Sequence, residues 1–369
     1  MRVLHFFKSY YPETFGGCEE AIFQLAEGGR ALGIDAQVLS LSRRGAARNE
    51  PYCHHVCHRS RLDFEFASTG FSVSVFRDFA QLIKTVDIVH YHFPWPMMDL
   101  VHFASRVKKP TVLTYHSDVV KQKQLLKLYQ PLQRRFLASV DRIVAESPNY
   151  AASSPVLARF EHKVSIIPIG QDASLQAQPD PRQLRDWERK LGDKFFLFVG
   201  ALRYYKGLHH LLQAAQGRSY PIVIMGEGPE EAALKQQARR LGLTNVNFLG
   251  ALPESDKVAL YKLCHAFVFP SHIRSEAFGV ALVEAAMHGK PMISCEIGTG
   301  TTFINLDKVT GIAVPPASPD KLRQAMDDLW NNPRMAETYG RQARRRYRNV
   351  FTSERMVGQY VRLYNALLA

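Results

Sequence analysis

Short apolar runs alternate with stretches in which apolar residues recur every three or four positions over the first half of the chain. The runs at 3–7, 36–41, 87–91, 110–115, 142–145 and 164–168 predict buried strands, and the stretches between most of them predict helices. That alternation is the signature of βαβ units and a parallel sheet. Around 171–183 the chain turns polar, with Asp172, Gln176, Gln178, Pro179, Asp180 and Pro181, which predicts a linker. A second series follows at 195–200, 221–225, 246–249, 265–269 and 291–295. The expectation is α/β architecture, with two doubly wound domains at 1–172 and 190–350 facing each other across a cleft. Ligands of such sheets bind outside the carboxyl ends of the strands.

A length of 369 residues with 46% hydrophobic residues suits two such cores. Apolar runs of about 18 residues are missing, and the N-terminus enters a strand directly rather than a signal peptide. The expectation is a cytoplasmic protein without a membrane span. The formal net charge of +13, from 47 Lys and Arg against 34 Asp and Glu, points to anionic partners. No zinc finger, RNP-type motif or helix-turn-helix accompanies that charge, which argues against nucleic acid. Lys121, Lys123, Lys127, Arg134 and Arg135 interleave with Leu125, Leu126, Leu128 and Leu132. This segment suits a peripheral seat on the anionic inner face of the cytoplasmic membrane, or equally a solvated helix face over the core, interrupted by Pro131.

The 5 scattered cysteines argue against a disulfide framework and for a reducing compartment. Cys53-His54-His55-Val56-Cys57-His58 has residue types that suit zinc, but a second Cys/His pair of that spacing is missing downstream. An ordinary surface loop is the expectation there, and Cys18, Cys264 and Cys295 read as small buried hydrophobes.

Chemistry concentrates between Ser275 and Pro291, where Glu276 and Glu284 stand eight positions apart. Ser275 reads as a helix N-cap and Gly289 with Lys290-Pro291 as the stop, so both acids are expected on a short helix or its leading turn. Eight positions span roughly 12 Å of helix, more than the roughly 5–9.5 Å between paired glycosidase carboxylates. Such acids suit the two ends of an elongated ligand, with a helix N-terminus between them for an anion. Upstream, Arg203 and Lys206 follow the strand Phe195 to Gly200, with Gly207 opening a helix, a placement suited to a diphosphate. As a loop cation, Lys206 is expected to contribute little to stability. Gly226-Glu227-Gly228-Pro229 makes a tight turn after the next strand, and Gly298-Thr299-Gly300-Thr301 is placed to present backbone N–H groups to a ligand. In the first half, Gly16 and Gly17 let the backbone approach a sugar or phosphate, and His116 ends the strand Val112 to Tyr115 with Asp118 close by to orient it.

The Glu-x7-Glu pattern with its Gly298-Thr299-Gly300 turn, the strand Val3-Leu4-His5-Phe6-Phe7 leading to Tyr10-Tyr11-Pro12 and Gly16-Gly17, and Phe198-Val199-Gly200 followed by Lys206-Gly207 resemble one family. It is that of the retaining, nucleotide-sugar-dependent glycosyltransferases of the GT-B fold, in the large family 4 that includes bacterial mannosyltransferases and lipopolysaccharide sugar transferases. The resemblance implies two Rossmann-like domains, the first on the acceptor side and the second binding the nucleotide sugar, with a final helix at about 353–369 returning to the first. It implies Glu284 on the ribose, Glu276 on the sugar hydroxyls, Arg203 and Lys206 on the diphosphate, and His116 near the reacting carbon. It further implies a donor site lined by Gly16, Gly17, Gly226, Glu227, Phe278, Gly279, Thr299 and Gly300. Many members carry Arg directly after the strand glycine, where this chain has Ala201.

The chain holds no Asp-x-Asp motif, so no metal and no cofactor is expected, and leaving-group charge falls to cations and helix dipoles. The leading expectation is transfer of mannose or a deoxymannose such as rhamnose from a GDP-linked donor to a lipid-linked or polysaccharide acceptor. A nucleotide-sugar epimerase or a phosphorylase is the alternative within the fold. A basic, non-catalytic membrane-surface or nucleic-acid-binding protein is the alternative outside it.

Overall fold

The computed structural model describes residues 1–66, 69–119 and 123–369, with the side chains of Arg48, Lys123, Gln124 and Leu125 outside the description. The chain forms two compact units, one of Met1–Gly170 with Ser353–Ala369, the other of Gln171–Thr352.

The first unit is built on strands β1 Arg2–Phe6, β2 Asp35–Ser42, β3 Ala47–Tyr52, β4 His55–Arg61, β5 Phe64–Phe66, β6 Thr69–Phe71, β7 Ile88–Phe93, β8 Thr111–Tyr115, β9 Arg142–Ala145 and β10 Val164–Ile166. Eight of these form one sheet in the order β10-β9-β8-β7-β1-β2-β4-β3, parallel except where β3 runs against β4. β5 and β6 make a separate hairpin. β1, β7 and β8 are almost entirely buried because parallel strands with both faces covered need continuous apolar runs. The segment read as a loop at Cys53 to His58 is instead largely strand. β4 pairs in parallel with β2, and His55, Cys57 and His58 are buried. Its inward polar side chains have partners, which periodicity cannot show: His55 Nδ1 lies 2.6 Å from Glu27 and its Nε2 3.0 Å from the Tyr10 hydroxyl.

The helix of Ser353–Leu368 completes this first unit. Its Tyr364 hydroxyl lies 2.7 Å from His90 and its Tyr360 hydroxyl 2.7 Å from Thr114, both inside the core. Gly28 gives it room, since a Cβ there would stand 2.8 Å from Val357.

The helix at Lys123–Ser139 runs through Pro131 rather than ending there. Lys121 lies outside the described residues, as does the Lys123 side chain, while Lys127, Leu128, Arg134 and Arg135 are exposed. Among the described residues, no helix is long and apolar enough to cross a membrane.

The second unit carries strands β11 Phe196–Val199, β12 Ile222–Met225, β13 Val246–Gly250, β14 Ala266–Phe269, β15 Met292–Cys295 and β16 Gly311–Val314. They form one parallel sheet in the order β13-β12-β11-β14-β15-β16. β16, a half-buried edge strand, was not among the runs read as strands, although Gly311-Ile312-Ala313-Val314 is apolar throughout. Within 171–183 the chain makes a short turn at Ala173–Leu175 and then, capped by Asp180, starts the helix Pro181–Leu191.

Candidate active site

From β11 the second sheet grows outward through β12 and β13, and from β14 it grows the other way through β15 and β16. The crevice outside the carboxyl ends of β11 and β14 is therefore the topological switch point where such sheets take ligands. The two loops that leave these strands touch there. Gly207 has φ 71, and a Cβ on it would stand 2.0 Å from the Pro270 carbonyl, so only glycine fits. This contact brings Lys206 to Glu276, with Nζ donating to Oε2 at 2.5 Å. Ser271 Oγ donates to the same oxygen at 3.1 Å, and the ammonium lies 4.6 Å from the centre of the Phe269 ring. Both charged side chains are about nine-tenths buried, so Lys206 is a paired internal charge and not the weakly held loop cation expected from sequence. Arg203 and Ala201 are exposed on the same loop.

Ser275 is not the helix cap. The helix is Val280–Met287, and its N-cap is Gly279 at φ 97, a left-handed conformation that places Glu276 in the loop and only Glu284 on the helix. Glu284 is held by two residues not singled out from sequence. Lys257 Nζ donates to its Oε1 at 2.7 Å and the Tyr261 hydroxyl to its Oε2 at 3.0 Å. Burial opposes the Lys257 ammonium, but Glu284 and Glu254 outweigh it and raise its pKa. Burial, with Glu284 beside it, pushes the Tyr261 hydroxyl well above its ordinary value and keeps it a neutral donor. The i, i+4 spacing of Lys257 and Tyr261 on the helix Glu254–Leu263 was a readable signal for a shared face.

Other residues of the predicted donor site shape these loops. Gly300 N–H donates to the Ala277 carbonyl at 2.8 Å, so it ties the Glu276 loop to the 298–301 turn and is not free for a phosphate. Phe278 packs against Gly300, where a Cβ would stand 2.7 Å from its ring, and Thr299 is buried at the cap of the one-turn helix Gly300–Ile304. Gly226, at φ 133, lets the turn after β12 touch the Gly200 carbonyl. Glu227 is exposed, and its carboxylate accepts from Ala251 N–H at 3.3 Å.

In the first unit, Gly16 caps the helix Gly17–Gly29, and both glycines are exposed. Glu19 and Glu20 already occupy that helix's first turn, which disfavours a second anion there. His116 is buried at the end of β8 in a chain of side chains. Its Nδ1 lies 2.5 Å from Glu146, its Nε2 3.0 Å from His92 Nδ1, and His92 Nε2 3.1 Å from His5. Glu146 therefore orients His116, whereas Asp118 accepts from the Tyr115 and Ser154 hydroxyls. Burial works against a charged His116, yet Cys18 and Glu146 outweigh it and hold its pKa well above 6.5. The strands made this cluster legible in principle: His90 and His92 alternate onto one face of β7, His5 pairs in register with His90, and Tyr115 with Ala145.

Burial pushes His5 down to about 3 and places His90 and His92 well below 6.5. The unfolded chain takes up these protons as pH falls below about 6.5 while the folded unit refuses them, so stability is present above 6.5 and lost toward acid. His116 has the opposite sign, stabilising below 6.5 and losing that contribution only as pH rises through its elevated value. At pH 4.5, His5 alone is expected to cost roughly 2–3 kcal/mol. Urea unfolding of the first unit, followed at pH 7.5, 6.0 and 4.5, should show a falling midpoint; a constant midpoint would contradict the neutral imidazole cluster.

Comparison with known proteins supports the same reading. Residues 15–175 match the description Glycosyltransferase Family 4, and residues 180–346 match Glycosyl transferases group 1. The D-rhamnosyltransferase WbpZ of Pseudomonas aeruginosa is 56% identical over 353 residues, covering 96% of this chain and 93% of that protein. This chain is a family 4 glycosyltransferase. The O-antigen chain mannosyltransferase C of Escherichia coli is 50% identical over 371 residues, covering 100% of this glycosyltransferase and 99% of its relative. Among solved structures, sucrose-phosphate synthase of Thermosynechococcus elongatus superposes with a TM-score of 0.80 at 20% identity, over 99% of this chain and 98% of that one. The glycosyltransferase thus has the GT-B fold, with a Rossmann-like sheet in each unit.

Proposed function

We propose that this glycosyltransferase moves mannose or a deoxymannose such as rhamnose, with retention, from a GDP-linked donor to a lipid-linked or polysaccharide acceptor in O-antigen synthesis. The observation that carries the reading is the Lys206–Glu276 pair at the switch point. An ammonium has three N–H donors; one is held by Glu276, leaving two for diphosphate oxygens. Glu276 receives sugar hydroxyls on its remaining lone pairs, and Glu284, steadied by Lys257 and Tyr261, receives the ribose. Arg203, exposed on the same loop, reaches the diphosphate from the solvent side. As the bond from the anomeric carbon to the phosphate oxygen breaks, the departing phosphate takes the acceptor's hydroxyl proton, and the acceptor oxygen bonds to that carbon on the same face. His116, charged and aimed by Glu146, contributes a fixed cation near the transferred sugar. The names of the two relatives that cover nearly the whole chain favour these sugars and an O-antigen acceptor. The exposed Lys127, Leu128, Arg134 and Arg135 would rest on the anionic membrane that carries a lipid-linked acceptor.

Release of nucleotide from a panel of GDP-, UDP- and ADP-sugars tests the donor. Preference for a GDP-sugar, dependent on acceptor, is expected; interconversion of the donor without acceptor would point to an epimerase instead. Turnover is also expected to survive a strong chelator, because cations and helix ends meet the leaving charge. Complete loss with EDTA, restored by Mg²⁺ or Mn²⁺, would contradict this.

A further inference from the structure

We infer that His209, His210 and His272 form a binding site for a divalent transition ion of the zinc type. Their ligating nitrogens lie within 4.8 Å of one another, and the rings are partly exposed. The ring centres stand 4.0 Å apart for His209 and His210, 5.1 Å for His209 and His272, and 5.0 Å for His210 and His272. His272 Nδ1 is buried and, among the described residues, has no hydrogen-bond partner, a costly state for a nitrogen whose lone pair or proton needs one. An ion that took this nitrogen as its ligand would satisfy it. Three imidazoles with no carboxylate suit zinc, nickel or cobalt rather than magnesium or calcium, and leave a fourth position for water. The buried cluster His5, His90 and His92 has similar spacing, but there the rings bond to one another, to Thr114 and to Tyr364.

The site's place in the fold gives the ion a task. His209 and His210 lie in the first turn of the helix Leu208–Ala215 that follows Gly207, whereas His272 stands in the loop after β14 and donates its backbone N–H to the Tyr205 carbonyl at 3.0 Å. Tyr204 stacks on His209 with centres 5.1 Å apart. An ion held by all three rings clasps the two loops whose contact at Gly207 sets Lys206 against Glu276. It acts as a clamp outside the transfer chemistry, so resistance of turnover to chelation remains the expectation.

The test uses tag-free full-length protein, stripped with chelator and dialysed. Calorimetric titration with zinc chloride should show one equivalent bound at low-micromolar Kd or tighter, and cobalt chloride should give the visible absorption of a nitrogen-rich tetrahedral ion. His272→Ala, and separately the milder His209→Gln, should weaken zinc at least about tenfold, as expected when one of three ligands is lost. Saturating zinc should raise the wild-type Tm by several degrees and leave that of His272→Ala unchanged. The double variant Cys53→Ser, His54→Gln controls for the other Cys/His cluster and should bind zinc as wild type does. Wild-type affinity in both single histidine variants, or loss of binding in the double variant, would overturn the site.

Discussion

Lys206→Ala is expected to cut turnover about a hundredfold or more at saturating donor, and to weaken the fold of the second unit as well. The first effect follows from the proposed role of Lys206 on the diphosphate, since removing a cation that meets a developing charge typically costs roughly 3 kcal/mol of transition-state stabilisation. The second follows from the ion pair. Alanine leaves the Glu276 carboxylate, about nine-tenths buried, with Ser271 as a donor among the described residues, and stripping one partner from a buried pair costs roughly 3–5 kcal/mol. Lys206→Ala/Glu276→Gln removes the stranded charge and should recover most of the stability while recovering no turnover. That separation shows which loss is chemical and which is structural. Arg203→Ala, at an exposed position, should leave stability unchanged, and its turnover reports whether this arginine serves in place of the one missing at Ala201. Near wild-type turnover in both single variants at matched saturation would remove the cation clamp from the mechanism.

The two glutamates should separate by what they bind. Glu284→Gln is expected to weaken free GDP and the sugar donor together by about tenfold or more, because a charge-assisted hydrogen bond to a group remote from the broken bond contributes roughly 1.5–3 kcal/mol of uniform binding. The substitution also leaves Lys257 with Glu254 as its remaining acid partner, so a modest fall in Tm should accompany it. Glu276→Gln should leave free GDP binding nearly intact and depress kcat, since its proposed partner is the transferred sugar, and by stranding the Lys206 ammonium it should also lower Tm. Calorimetry with GDP that shows equal losses in the two variants would sink the division of labour.

Much of this was readable from the chain. The apolar runs located the parallel strands from Arg2–Phe6 to Met292–Cys295 apart from β4, because a strand buried on both faces is usually apolar along its length. What stayed hidden were elements whose stability lies in pairing between distant positions. β4 carries His55, Cys57 and His58 inward and looked like a loop because its buried polarity is satisfied by Glu27, Tyr10 and Gln37. Glu276 was read onto a helix or its leading turn because Ser275 has the right chemistry for a cap, while the deciding fact was the backbone at Gly279. Lys206 was legible as a cation near phosphate, but its pairing with Glu276 depends on two loops meeting through Gly207. Glu146 beside His116 was recoverable only once the strand register was known.

The first unit is a discontinuous object, assembled from Met1–Gly170 and the helix Ser353–Leu368 that arrives after the whole second unit. Synthesis is vectorial, at about 5–20 residues per second, so residues 353–368 leave the ribosome roughly 10–40 s after the first sheet has emerged. Until then His90 and Thr114 lack Tyr364 and Tyr360, and the helix Gly17–Gly29 shows water the apolar groove that Val357 fills. The second unit, continuous in sequence, is free to mature first, reversing the usual amino-to-carboxyl order of domain completion. A message truncated before residue 353 would then yield a finished second unit tethered to an open, aggregation-prone first one.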